Sequence, residues 1–358
     1  MKKVCFLAQF PPPIHGLSKA VETLYCGLAG DFEAEKVNLT NNKAILHSLW
    51  TALRSDADLF YLTISQTRGG NLRDLLFMNL LHLRGKKCVV HLHGGYYREL
   101  VEQGMPAWQR AWNYRAVGRL AGAIVLSESL KQIFIGMLPE EKIFAVPNSV
   151  EDECLIGDEA FEEKLAAAEH KEVKHVLYLS NFFRAKGFPE VLELARLEKE
   201  RCDAGGPRLL HFDFAGRFYE KTEEDYFFGF IKEHYLEQYI TYHGIAVGAQ
   251  KKELLAQSDY FMLLSQNEGQ PISILEAMGN GLIVFTTNAG GIPDIVEDGV
   301  NGYLSDKKNL DVNRIYEKII NPGSCRAMML CNRRAVKEHY RQECYLAGMK
   351  KVFRDLTE

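Results

Sequence analysis

The sequence predicts an α/β protein built from two doubly wound domains, and three observations carry that expectation. At 358 residues the chain exceeds the size at which a single core usually stops growing. Short, nearly continuous apolar runs recur between longer stretches of helical periodicity, the mark of strands buried on both faces of a parallel sheet. The alternation lapses once, in an acidic, alanine-rich stretch between about 150 and 172, and then resumes.

In the first half, strands are expected at residues 4–10, 59–64, 87–92, 123–126 and 143–146, with helices starting near Leu17, Ala44, Leu72, Pro106 and Glu128. The acidic stretch reads as a linker carrying one exposed helix. Further strands are expected at 176–180, 209–215, 240–243, 260–264, 282–285 and 302–304, and the helical spacing of apolar and basic residues over 325–356 marks closing helices. The expected domains are therefore 1–165 and 166–338, with 339–358 a C-terminal helix packing back on the first domain. Ligands of open parallel sheets bind beyond the carboxyl ends of the strands, so two such domains facing one another are expected to form a cleft between their loop edges.

Composition narrows the function. With 47% hydrophobic and 25% charged residues and a net charge of −4, the chain has the balance of a globular protein, and no nucleic-acid partner is expected. The eight cysteines form neither a C-x-x-C pair nor a His/Cys cluster at metal spacing, which reads as reduced thiols in a cytosol. The apolar run at 4–10 meets three prolines at 11–13 too early for a secretory segment, and no run approaches the ~18 apolar residues of a membrane span. A cytoplasmic location is expected, extending to the inner face of the membrane.

The strongest motif is Ser265-Gln266-Asn267-Glu268-Gly269-Gln270-Pro271-Ile272-Ser273-Ile274-Leu275-Glu276. It follows a buried strand and opens a helix, with Pro271 at the helix start, where its missing N–H costs nothing. Glu268 in the loop and Glu276 inside the helix can accept hydrogen bonds from sugar hydroxyls, while the backbone amides at the helix start offer donors to an anion. An isolated E-x7-E spacing reads first as a loop acid and a solvated helix residue, and it is the surrounding pattern that points away from that reading. A second stretch, Ser180-Asn181-Phe182-Phe183-Arg184-Ala185-Lys186-Gly187, follows the first strand of the second domain and brings positive charge to a strand end; Arg217, after Ala215-Gly216, is another cation so placed. In the first domain, His15-Gly16 lies between the first strand and first helix, where Gly16 allows close approach to phosphate, and His91-Leu92-His93-Gly94 ends another strand.

Taken with Asn288-Ala289-Gly290-Gly291-Ile292-Pro293-Asp294 and Asp298-Gly299-Val300-Asn301-Gly302, this order of motifs resembles glycosyltransferase family four, retaining enzymes of the GT-B fold with an E-x7-E signature. The resemblance implies two Rossmann-like domains facing across a cleft and sugar transfer from a nucleoside diphosphate, a UDP-sugar being the expected donor, to a hydroxyl of a saccharide or lipid-linked saccharide. It implies that Glu268 contacts the donor sugar, Glu276 the ribose, Lys186 the diphosphate and His93 the sugar. Gly16, Arg184, Arg217, Gly269, Gln270, Pro271, Ile272, Gly290 and Gly291 would line the donor site, with His15, Asn181, Ser127 and Asn148 around the cleft. Ser180-Asn181 departs from the family's Gly-Arg, removing a guanidinium at that position. Neither a cofactor nor a metal is implied; Asp56-x-Asp58 immediately precedes a strand, a usual place for turn acids.

Other readings stay open: a sugar phosphorylase, a nucleotide-sugar epimerase, or a non-catalytic protein that binds sugar nucleotides. A dehydrogenase is excluded by the lack of G-x-G-x-x-G in either first βα turn. Residues 96–120 hold Tyr96, Tyr97, Trp108, Trp112 and Tyr114 among Arg98, Arg110, Arg115 and Arg119, a mixture suited to peripheral membrane contact.

Overall fold

A computed structural model describes residues 1–12, 16–41 and 44–358. The first half runs β1 (Lys3–Ala8), α1 (Gly16–Gly27), β2 (Glu33–Asn38), α2 (Ile45–Arg54), β3 (Leu59–Thr63), α3 (Arg68–Leu83), β4 (Lys87–His91), α4 (Tyr97–Glu99), α5 (Ala107–Val117), β5 (Gly122–Val125) and β6 (Ile143–Ala145). After α6 (Asp158–Ala167) come β7 (Lys174–Leu179), α7 (Phe188–Asp203), β8 (Leu210–Ala215), α8 (Lys221–Glu233), β9 (Ile240–Tyr242), α9 (Gly248–Gln257), β10 (Tyr260–Leu263), α10 (Ile272–Gly279), β11 (Ile283–Thr287) and β12 (Gly302–Ser305). The chain closes with α11 (Val312–Ile320), α12 (Cys325–His339) and α13 (Gln342–Thr357).

Both sheets are parallel and six-stranded, in the orders β2-β1-β3-β4-β5-β6 and β12-β11-β10-β7-β8-β9. The interior strands β1, β3, β10 and β11 are buried on both faces, as their largely apolar sequences require. Thus β1 sends Val4, Phe6 and Ala8 into one core and Cys5 and Leu7 into the other. Each sheet reverses direction once, at β1/β3 in the first and at β7/β10 in the second, and those reversals are where ligands of doubly wound sheets bind.

The chain divides into two compact units, Met1–Asn148 with Glu268–Gln270 and Glu343–Glu358, and Ser149–Asn267 with Pro271–Gln342. The division therefore falls earlier than residue 165. The acidic helix α6 is not an exposed linker helix: it buries Phe161 and Leu165 in the second unit's core, and Lys164 donates to the carbonyls of Leu255 and Asn280. Its charged residues made it look solvated, whereas one apolar stripe is enough to dock it. Helix α13 belongs to the first unit, where Tyr345, Met349, Val352 and Phe353 enter the core and Leu346 lies so near Gly27 that a Cβ there would sit 2.4 Å from its Cδ2.

Two further elements differ from expectation. Strand β2, Glu-Ala-Glu-Lys-Val-Asn, carries no apolar run because it is an edge strand with mostly solvent-facing residues. The helix expected from Glu128 is only a 3₁₀ turn, Ser129–Ile133; Gly136, at φ +82°, and Pro139 follow too closely for a longer one.

Candidate functional site

In the second unit the two motif loops flank the β7/β10 reversal. The loop after β7 makes a 3₁₀ turn over Arg184–Lys186 and closes on Gly187, whose φ of +80° and close approach to Leu264 both require glycine; a Cβ would stand 2.5 Å from the Leu264 carbonyl oxygen. The loop after β10 is tied to it, the Gln266 amide donating to the Ala185 carbonyl at 2.9 Å. Lys307 donates to the Gln266 carbonyl and Thr287 to that of Ser265, so the backbone of the β10 loop is held on several sides.

From this loop α10 begins after Pro271, whose φ of −66° suits a helix start. Glu276 lies on that helix, buried, with its Oε1 2.5 Å from Nζ of Lys251 on α9. Burial pulls the Lys251 ammonium down, but the charge of Glu276 and its hydrogen bond outweigh this and hold it above the ordinary lysine range. Among the described residues Glu276 Oε2 has no partner. The nearby Cys154 thiol is pushed up by burial and by the Glu276 charge. Nothing in the sequence singles out Lys251, because its partner lies 25 residues away on another helix.

The cations divide. Arg184 is committed to Glu223 at 3.2 Å and lies over the Tyr226 ring at 4.2 Å, and Arg217 lies 5.8 Å from the Tyr219 ring, which stacks with Phe183. Lys186 is half-buried at the end of its turn and Asn181 is exposed. Gly290, at φ +55°, and Gly291 precede the 3₁₀ turn Ile292–Asp294 after β11.

In the first unit the site residues cluster beyond β4. The rings of His91 and His93 lie 3.9 Å apart, and Tyr61 on β3 is 2.7 Å from His91 Nδ1. Neither Nε2 has a hydrogen-bond partner among the described residues, and both atoms are sealed from solvent although His93 as a residue is partly exposed. Burial lowers the pKa of His93 to about 3 and that of His91 well below the usual range, so both imidazoles are neutral near pH 7.

Glu268–Gln270 belong to this unit. Glu268 is buried; Gly269 passes so close to the end of β4 that a Cβ would stand 2.6 Å from the His93 carbonyl oxygen. Gln270 and Asn148 clasp one another, the Asn148 amide donating to Gln270 Oε1 at 2.7 Å and its Nδ2 to the Gln270 carbonyl at 2.8 Å. Those side chains position the loop. Ser127 lies 3.3 Å from Ser129, Oγ to Oγ, and Gly16 is exposed at the start of α1; His15 lies outside the described residues. Asp56 and Asp58 stand at the amino-terminal ends of the strands, engaged by Lys3 and Lys2.

Residues 159–327 match the family described as Glycosyl transferases group 1. Over 168 residues the chain is 26% identical to N-acetyl-alpha-D-glucosaminyl L-malate synthase of Bacillus anthracis, covering 47% of this chain and 41% of that one. Over 229 residues it is 27% identical to GDP-mannose:cellobiosyl-diphosphopolyprenol alpha-mannosyltransferase of Xanthomonas campestris, covering 64% and 56%. The chain thus spans about half the length of these curated relatives. Among solved structures it is similar to Anabaena Alr3699/HepE in complex with UDP, at TM-score 0.75 and 16% identity over 99% of this chain and 100% of that one. Sucrose-phosphate synthase from Thermosynechococcus elongatus gives TM-score 0.75 at 14% identity over 99% of both chains. The fold is GT-B.

Proposed function

We propose that this protein is a retaining glycosyltransferase that moves a sugar from a nucleoside diphosphate, with UDP as the expected carrier, to a hydroxyl of a saccharide or lipid-linked saccharide in the assembly of bacterial surface polysaccharide or glycolipid. One observation carries the reading: both loops flanking the β7/β10 reversal lie inside the segment that matches a glycosyltransferase family. The lipid-linked acceptor draws support from the Xanthomonas relative, named for a cellobiosyl-diphosphopolyprenol, and the uridine carrier from the UDP complex of HepE.

In this reading Glu276 accepts a ribose hydroxyl on Oε2 while Lys251 holds Oε1. Glu268 and neutral His93 hydrogen-bond donor-sugar hydroxyls. As the glycosidic C–O bond breaks, charge grows on the diphosphate, and Lys186 with the amides of Gly290 and Gly291 offsets it. The acceptor oxygen bonds to the anomeric carbon from the face the diphosphate leaves, and its proton passes to the departing phosphate oxygen, so configuration is retained without a carboxylate nucleophile or a metal ion. Arg184, occupied by Glu223 and Tyr226, and Arg217 play a secondary part. The protein works in the cytoplasm at the inner membrane face.

The test is transfer from a panel of UDP-, GDP- and dTDP-sugars to lipid-linked saccharides in excess EDTA, with product anomers assigned by NMR. An α-linked product from an α-linked donor, undiminished by EDTA, is expected. An inverted product, or activity that returns only with added magnesium or manganese, overturns the mechanism, and the latter revives Asp56 and Asp58.

A further inference from the structure

The strand order of the second sheet leaves part of one face open. Successive crossovers β7→β8→β9 step one way along the sheet and β10→β11→β12 the other, so right-handed connections put α7 and α8 on one face and the later helices on the opposite one. Among the described residues the β8–β9 part of that second face has no crossover helix over it. The covered face carries Phe212, Phe214 and Ile240, all buried. The uncovered one carries histidines.

Register puts them together. His175 pairs with His211, Leu177 with Asp213 and Asp213 with Thr241, so His175, His211, Asp213, Thr241 and, two residues on, His243 share one face. His175 Nδ1 is 2.7 Å from Asp213 Oδ2, His243 Nε2 is 2.7 Å from Oδ1, and His211 Nε2 is 3.8 Å from Oδ1. One ligand atom each from His175, His211 and Asp213 lies within 4.8 Å of the others. Asp213 is buried, and its ionic partners among the described residues are these imidazoles alone.

We propose that His175, His211 and Asp213, with His243 as the fourth group, bind a zinc ion on this face. Tetrahedral zinc with bonds of about 2.0–2.1 Å spaces its ligands about 3.3 Å apart, inside the spread seen here, and imidazole with carboxylate is a donor set suited to it. The nitrogens of His175 and His243 now hydrogen-bonded to Asp213 become the ligand atoms, and the proton each ring carries there moves to its other nitrogen, so each imidazole stays neutral as the metal enters. One contact opposes binding: Arg208 Nη2 lies 2.5 Å from His211 Nδ1, and Nε2 is 2.8 Å from the Thr241 hydroxyl. That arrangement keeps the His211 proton on Nε2, so coordination moves it to Nδ1 and displaces Arg208. Sequence spacing hides the site because its members come from three strands.

The test uses the full chain, free of any tag and stripped with EDTA, titrated calorimetrically with zinc chloride, with cobalt as a spectroscopic reporter. One equivalent of saturable zinc and a tetrahedral cobalt spectrum are expected, with binding weakened at least about tenfold in Asp213→Asn and His211→Ala. Arg208→Ala, at the site's edge, is expected to tighten binding. Failure of the wild type to saturate, or equal affinity in His175→Ala and His211→Ala proteins of native circular dichroism, overturns the site. Unchanged or weaker affinity in Arg208→Ala overturns it as well, independently of whether the ligand variants fold.

Discussion

Glu276 of the second unit, on α10, and His91 and His93 of the first, at the end of β4, are polar groups held in opposite electrostatic states. Glu276 is a carboxylate balanced by Lys251 at 2.5 Å. The histidine rings lie 3.9 Å apart, tilted by 38°, with Nε2 atoms that have no partner among the described residues, and both are kept neutral by burial. The difference teaches how each unit meets a ligand. A paired carboxylate is a strong acceptor, whereas a neutral imidazole can hydrogen-bond a hydroxyl without bringing charge to it.

The sharpest way to break the comparison is to remove one side of the ion pair. Lys251→Met leaves Glu276 buried without its cation and is expected to destabilise the protein by about 3 kcal/mol or more. Adding Glu276→Gln should recover much of that loss. Denaturant midpoints of the two single variants and the double variant measure the coupling, and additive losses would show that the pair is not a unit.

Function follows at a smaller scale. Glu276→Ala is expected to weaken donor binding, and Glu268→Gln to lower turnover, each by about tenfold or more, from roughly 1.5 to 3 kcal/mol for a hydrogen bond to a charged group. Initial rates over a donor series separate KM from kcat. Wild-type kinetics in both variants would remove these residues from the donor site.

The histidines sharpen the contrast through pH. With folded pKa values below the unfolded value of about 6.5, the native state binds fewer protons than the unfolded chain in acid, so their contribution is complete above about pH 6.5 and declines as pH falls towards about 3. The slope is about 1.4 kcal/mol per pH unit for each histidine. Urea unfolding at a series of pH values should show His93→Gln losing stability less steeply than wild type between about pH 6.5 and about pH 4.5. Parallel curves would mean His93 titrates normally in the folded protein.

The second unit was the more legible of the two. Its strands are mostly apolar, β10 without a break, and its loops carry glycine, proline and charge at strand ends, where backbone geometry restricts the choice of residue. Lys251, Tyr61 and the Asn148–Gln270 clasp were illegible as partners, because each contact joins distant segments through side chains that sequence does not pair. The linker reading of α6 failed for a related reason: Phe161 and Leu165 form a stripe of two residues among acids. Edge strand β2 escaped because one exposed side frees its sequence from continuous hydrophobicity.

The smallest expected effect concerns residues 96–120, where the structure divides what the sequence lumped together. Tyr97 is buried, Trp112 packs against the core, Tyr114 donates to Glu102, and Arg98 and Arg110 bond to backbone carbonyls. Trp108 is 59% exposed and Tyr96 is also exposed, with Arg115 and Arg119, so the surface left for a bilayer is two rings and two guanidiniums. Leu46 and Trp50 on α2 and Leu83 on α3 are exposed in the same unit, beyond the segment first singled out. No helix among the described residues is long and apolar enough to cross a membrane. Each arginine near an anionic surface contributes about 1 kcal/mol, screened within a Debye length. Arg115→Glu/Arg119→Glu is therefore expected to reduce co-sedimentation with phosphatidylserine vesicles several-fold at low salt and little at physiological salt, whereas Trp108→Ala should reduce it at both, because insertion of a ring is not screened. Negligible binding by the wild type at low salt would remove the membrane face and leave a free saccharide as the acceptor to test.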